Sequence, residues 1–204
     1  MIRLALVLSL ACIGQTAEAK TQKAVLAGGC FWCVESNFEG VAGVKDVVSG
    51  YTGGASKNPT YDDHEGHYEA VEITFDDAKI SYAQIISKFL RSTDVVDAGG
   101  QFCDRGNAFR SAIFVSDAAE KQVAADEVAR AQADLGQKIV TPVLTAKTFW
   151  PAEAYHQDYY KSSELVLTRR GPKEKANAYK FYRDACGRDA RIKQLWGSAA
   201  EFTH

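Results

Sequence analysis

Gly28-Gly29-Cys30-Phe31-Trp32-Cys33-Val34-Glu35 follows the apolar run Ala24–Ala27. It reads as a buried strand, a two-glycine turn and a cysteine at the first turn of a helix. A helix N-terminus presents unpaired N–H groups and the positive end of the macrodipole. A thiol held there has its pKa lowered from about 8.5 towards roughly 3.5–7.5, which makes it a thiolate at neutral pH. Phe31 and Trp32 follow at once and wall a small apolar pocket beside the Cys30 sulfur.

Outward from this unit, alternation and turn signals organise the chain. A strand at about Lys23–Ala27 leads into a helix from Phe31 to about Phe38. Val44–Ser49 alternates as a strand and runs into the glycine-rich loop Gly50-Tyr51-Thr52-Gly53-Gly54. Tyr68–Phe75 is a second strand, imperfectly alternating. Ser81 opens a helix with Tyr82, Ile85, Ile86, Phe89 and Leu90 at helical spacing. Ser111–Val115 is a strand, and Ser116 or Asp117 caps an alanine-rich helix that ends near Leu135-Gly136. Ile139–Leu144 is a further strand, with Pro142 marking an edge or bulge. This order favours an α+β two-layer sandwich, helices on one face of a mixed sheet, over a doubly wound parallel sheet. Past Trp150 the chain turns Tyr-, Lys- and Arg-rich, with loop signals at Arg170-Gly171-Pro172 and helical spacing from Ala176 to Arg183. That tail is expected to wrap the domain rather than form a second one.

The 204 residues suit a single domain, and a formal net charge of -2 offers no electrostatic case for nucleic acid or an anionic membrane surface. Residues 1–19 read as a signal peptide. Met1-Ile2-Arg3 is a short basic start, Leu4–Ile13 an apolar run too short to span a bilayer, and Ala17-Glu18-Ala19 a cleavage site. Export, to the periplasm, with no stable membrane insertion after processing is the expectation. A lipid attached through Cys12 is the weaker alternative, since Ser9-Leu10-Ala11-Cys12 fits such a signal poorly. The mature domain, 20–204, then carries Cys30, Cys33, Cys103 and Cys186.

Cys33 lies one helical turn from Cys30, near enough to close a disulfide with modest distortion, or it packs inertly in the helix. Metal is the poorer reading of this pair, because Cys103 and Cys186 are isolated and His64-Glu65-Gly66-His67 has no zinc-site spacing. Glu69 enters a largely apolar strand. Facing inward it becomes a proton donor at neutral pH, and facing outward it is an ordinary surface carboxylate. Glu72 is placed on the wet face. Tyr51 and Tyr61 divide between packing and hydroxyl donation, and His156 reads as a packed helix-face histidine.

Five segments in order, Gly29-Cys30-Phe31-Trp32, Gly50-Tyr51-Thr52-Gly53-Gly54, Asn58-Pro59-Thr60-Tyr61, Gly66-His67-Tyr68-Glu69-Ala70-Val71 and Ala152–Tyr160, resemble the A-type peptide methionine sulfoxide reductases. The resemblance spans about Ala24 to Tyr160 and implies an α+β sandwich of ferredoxin-like type. It implies Cys30 as nucleophile, Phe31 and Trp32 as the seat of the substrate's S-methyl group, and Glu69 as the acid that protonates the sulfoxide oxygen. Tyr61 would donate a hydrogen bond to that oxygen, while Asp104, His156 and Tyr159 would support the substrate pocket.

In two places the chain departs from that pattern. Phe109 stands where the family often has a second tyrosine, so one hydroxyl is missing. Many members have glycine where this chain has Cys33, and recycle through cysteines in a glycine-rich C-terminal tail that is absent here. The resolving thiol is therefore either Cys33 or Cys186. The implied function is thiol-dependent reduction of methionine S-sulfoxide, free or in proteins, through a Cys30 sulfenic acid and an intramolecular disulfide, which repairs oxidised proteins. No metal, flavin or nucleotide cofactor is implied, and the implied partner is a thioredoxin-like dithiol. A general C-x-x-C disulfide oxidoreductase and a non-catalytic methionine-binding module are the competing readings.

Overall fold

A computed structural model of the protein describes residues 20–203, so the signal peptide expected at residues 1–19, Cys12 included, lies outside the described residues. Ten strands and five helices follow in chain order: β1 (Thr21–Gly28), α1 (Phe31–Phe38), β2 (Val44–Thr52), β3 (Tyr68–Asp76), α2 (Tyr82–Leu90), β4 (Gly100–Gln101), β5 (Asp104–Arg105), β6 (Ser111–Val115), α3 (Ala118–Leu135), β7 (Val143–Thr145), β8 (Trp150–Pro151), β9 (Leu165–Thr168), β10 (Gly171–Glu174), α4 (Lys175–Ala185) and α5 (Arg188–Trp196). Six of the strands form one sheet in the order β7-β6-β1-β3-β2-β8. All its pairings are antiparallel except β6–β7, which is parallel. The inner order β6-β1-β3-β2, with α1 and α2 as the two connections, is the ferredoxin-like split βαβ arrangement.

The sheet's register decides which side chains reach the site. Along β3, Val71, Ile73 and Phe75 join Phe31, Val34, Phe38, Ile85, Ile86 and Phe89 of α1 and α2 in the main core. Tyr68 and Ala70 join Ala27, Ala112 and Phe114 on the opposite face. Strand periodicity of two therefore puts Glu69 on the helix side, in line with Val71. Glu72 is on the other face, ion-paired with Lys23 at 2.6 Å.

Helix boundaries follow local chemistry. Ser81 forms a reciprocal capping box with Gln84 ahead of α2, Asp117 caps α3 through Glu120 N at 2.8 Å, and Gly136 closes α3 at φ +66°. The strand expected over 139–144 is shorter, only Val143–Thr145. Ile139 N and Val140 N donate instead to Gln132 Oε1 and the Val95 carbonyl, and Pro142 has no N–H to give.

The tail does wrap back on the domain, but with more regular structure than its sequence suggests. The loop signals at Arg170-Gly171-Pro172 turn out to be the corner of a β9–β10 hairpin, with Gly171 at φ +90°. A disulfide joins Cys103, between β4 and β5, to Cys186 at the end of α4. Cys103 and Cys186 are thus not isolated cysteines.

Candidate active site

Beyond β1, Gly29 turns the chain at φ +80° and Cys30 falls at the N-cap of α1. Neither glycine accepts a side chain: a Cβ on Gly28 would lie 2.9 Å from Thr93 and Val34, and one on Gly29 2.5 Å from Gln101. The turn is therefore packed tightly enough to hold Cys30 in one place.

Phe31 N–H, an unpaired donor of the first helical turn, donates to Glu69 Oε2 at 3.1 Å. Glu69 is only 2 % exposed. Burial pushes its carboxyl up to about 8, with Asp104 and Cys33 pushing the same way and the Phe31 N–H opposing them. At neutral pH Glu69 is thus a protonated acid inside the protein.

Cys30, Phe31, Trp32, Tyr61, Glu69, Asp104, Phe109 and Tyr182 surround one cavity of about 80 Å³. Six of these eight belong to the candidate set read from the sequence. The other two are Phe109, singled out as a departure, and Tyr182, which has no motif around it. Tyr182 comes from α4, and its hydroxyl donates to Asp104 Oδ2. Burial raises the Asp104 carboxyl, and the Tyr182 hydrogen bond opposes that.

Tyr61 is 40 % exposed at the rim of the site. Its backbone N–H donates to Glu153 Oε1 at 2.9 Å, leaving the ring against Phe31 and His156. Burial raises its phenol to about 12, so it stays a hydrogen-bond donor.

His156 and Tyr159 stand behind the cavity wall rather than in it. Trp32 stacks on Tyr159 with ring centroids 3.8 Å apart and donates from Nε1 to His156 Nδ1 at 3.2 Å. Burial holds His156 down at about 4, so the ring is neutral and Nδ1 is free to accept. Two residues with no role assigned from the sequence dock this segment. Gln157 satisfies both the N–H and the carbonyl of Ser49 at 2.9 Å, in the manner of a neighbouring strand. Glu35, in the opening motif, accepts from Ser49 Oγ and Asp158 N at 2.7 Å each.

The two thiols divide the site's charge differently from the expectation at a helix N-terminus. Cys30 and Cys33 are both free and buried. Burial pushes the Cys30 thiol up, aided by its hydrogen bond to Cys33 and by the Glu69 and Asp104 carboxyls. Cys33 is pulled below the ordinary thiol range by that same hydrogen bond, with Arg188 and Arg183 lowering it further against its burial. The pair's negative charge rests on Cys33 while Cys30 keeps the proton. The physical reason is placement: the Asp104 carboxylate acts on Cys30 and two guanidiniums act on Cys33. Cys186, the other resolving candidate, is committed to Cys103. Among the described residues no group of three or more His, Cys, Asp or Glu side chains is arranged to hold a metal ion.

Residues 22–194 match the family model described as peptide methionine sulfoxide reductase. The chain is 45 % identical over 184 residues to peptide methionine sulfoxide reductase MsrA 2 of Rhizobium meliloti, covering 89 % of this chain and 87 % of that one. It is 46 % identical over 200 residues to the protein of the same name from Caulobacter vibrioides, covering 93 % and 94 %. Among solved structures, Mxr1 of Saccharomyces cerevisiae in its reduced form superposes with a TM-score of 0.64 at 25 % identity, over 73 % of this chain and 91 % of that one.

Proposed function

Because the chain belongs to the peptide methionine sulfoxide reductase family, we propose that the Cys30 cavity is where it reduces methionine S-sulfoxide. The observation that carries this assignment is one small cavity holding both a nucleophilic thiol and a buried carboxylic acid with a pKa near 8. Its volume, about 80 Å³, has room for a methylsulfinyl head group. Phe31 and Trp32 offer the apolar wall for the methyl.

Cys30 passes its proton to Cys33, its hydrogen-bond partner, and attacks the sulfoxide sulfur. Glu69 delivers a proton to the oxygen, with Tyr61 donating a hydrogen bond to it. The hydroxyl then passes to the Cys30 sulfur as the substrate's S–O bond and the new S–S bond break, so methionine leaves and Cys30 becomes a sulfenic acid. Sulfur of the substrate is reduced by two electrons and Cys30 is oxidised by two. Cys33 then attacks Cys30, water leaves, and a Cys30–Cys33 disulfide remains for an external dithiol to reduce by exchange.

A thioredoxin-like protein is the proposed donor, and the crystal structure of yeast Mxr1 in complex with Trx2 supports that choice. An exported, periplasmic site of action is also proposed. The leader-like residues 1–19 and the Cys103–Cys186 bridge support it, since such bridges persist in oxidising compartments. Dithiothreitol-driven reduction of the two separated methionine sulfoxide epimers tests the assignment: turnover of the S epimer alone is expected. Turnover lost in Cys30→Ser ties it to this cavity, and turnover retained there would place the chemistry elsewhere.

A further inference from the structure

Arg188, the first residue of α5, is 2 % exposed. Its guanidinium lies under the Gly28-Gly29 turn, donating to the Gly28 carbonyl at 3.1 Å and the Ser92 carbonyl at 3.3 Å. Its remaining face rests on the Phe102 ring at 4.2 Å. All three partners are neutral. A guanidinium keeps its proton at any working pH, and a buried charge needs an opposite charge nearby. Arg183, in the preceding helix α4, has that counter-charge in Asp189 at 2.7 Å. For Arg188 the anionic groups within its field are Cys33 and Asp104. Asp104 already accepts the Tyr182 hydroxyl.

We propose that Arg188 is a positioning residue for disulfide formation, holding the Gly28-Gly29 turn and providing the buried counter-charge that keeps Cys33 ionisable beneath Cys30. This deepens the reductase reading and rests on it. In the resolving step Cys33 gives up its proton, forms the S–S bond and displaces the hydroxyl of Cys30 as water. Other groups also face Cys33: Cys30 from α1, Glu69 from β3, and Tyr179, Tyr182 and Arg183 from α4. The charge on Cys33 raises the Glu69 carboxyl, while Arg183 and the Tyr179 hydrogen bond favour ionisation of Cys33. Among the described residues Arg188 differs from Arg183 in making no carboxylate ion pair, Asp104 acting on it only through its field.

The test is the pH profile of disulfide formation in a single turnover of the full chain. Dimedone traps the Cys30 sulfenic acid, and mass mapping quantifies the Cys30–Cys33 bridge. The wild-type midpoint is expected below the ordinary thiol value of about 8.5. Arg188→Gln, which can still donate to the two carbonyls, should raise the midpoint by about one unit or more and slow the step about tenfold at pH 7, because the rate follows the thiolate fraction. Arg188→Lys, which keeps the charge, should restore most of the shift. A wild-type midpoint at or above 8.5 overturns the proposal without any variant. So does an unmoved midpoint in Arg188→Gln, or a shift in Arg188→Lys as large as in Arg188→Gln. Running the same profile with hydrogen peroxide as the oxidant of Cys30 separates this proposal from the reductase reading. Wild-type protein that forms the bridge from peroxide with the expected profile, yet leaves both sulfoxide epimers intact, would refute that reading while retaining the role of Arg188.

Discussion

Replacing Glu69 by Gln removes one proton and little else, and the structure allows the consequence to be sized. The amide oxygen of glutamine can still accept from Phe31 N–H, now made to Glu69 Oε2 at 3.1 Å. With its pKa near 8, Glu69 is about nine-tenths protonated at pH 7, so nearly every enzyme molecule carries the acid. A positioned general acid contributes on the order of 10²–10⁴ in rate, or roughly 2.7–5.4 kcal/mol of barrier. Rapid-quench measurement of methionine formed in one turnover should show a loss of that size in Glu69→Gln. The wild-type first step should lose its acid limb as pH rises through about 8, and the variant should show no such limb. Stability should move the opposite way. A carboxyl whose folded pKa is raised costs folding free energy as pH rises from its unfolded value of about 4.3 to its folded value, about 1.4 kcal/mol per unit. Glu69→Gln is therefore expected to melt higher than wild type near pH 8, with the gap closing near pH 4. A first-turnover rate within threefold of wild type, or a melting gap independent of pH, would refute the reasoning.

Three further outcomes follow from the geometry. Cys33→Ser should still form one equivalent of methionine but accumulate Cys30 sulfenic acid and stop cycling with thioredoxin; full cycling would show that Cys186 leaves Cys103 and resolves. Phe109→Tyr places a hydroxyl at the wall of the cavity that holds Cys30 and Glu69. Its single-turnover rate should rise by no more than one hydrogen bond to developing charge supplies, on the order of 1.5–3 kcal/mol; an unchanged rate means the oxygen is already satisfied by Tyr61. Cys103→Ala opens a bridge across 83 residues of sequence, which chain-entropy arguments value at about 4–5 kcal/mol. A marked fall in melting temperature is expected, and a melting temperature unaffected by the substitution would show the bridge to be dispensable.

Much of this site was legible because its front half is local in sequence. The turn, nucleophile and two aromatics are five consecutive residues, Gly28 to Trp32, and their neighbours in β1 and α1 carry ordinary strand and helix patterns. Glu69 was ambiguous for a specific reason. Tyr68–Val71 is buried on both faces of the sheet, so hydropathy does not alternate there and only the register, anchored by Ile73 and Phe75, tells which way Glu69 points. Tyr182, Arg183 and Arg188 were not legible. They lie in a charged, helical stretch whose buried positions include arginines, and burial of an arginine leaves no apolar signature. Nor did spacing indicate the Cys103–Cys186 bridge, since both partners sit in turns whose meeting depends on the whole fold.

These late residues explain why the two thiols are unequal. Cys30 and Cys33 are hydrogen-bonded and equally deprived of water, so burial alone cannot decide which one carries the charge. The decision falls to the groups around them. Asp104 from β5 acts on Cys30, and Arg183 and Arg188 from the tail act on Cys33, while Glu69 is mostly protonated at neutral pH and adds little charge. At rest this field keeps a proton on Cys30, which lowers the reactivity of its buried sulfur towards oxidants, because the thiolate is the form that oxidants attack. The same field makes Cys33 the base for the first step and the nucleophile for the second. Asp104 and the α4–α5 corner are the two ends tied by Cys103–Cys186, so one covalent link holds both poles of the field in register. The tail that supplies Ile192 and Trp196 to the main core thus also carries the guanidiniums on which the thiol chemistry depends.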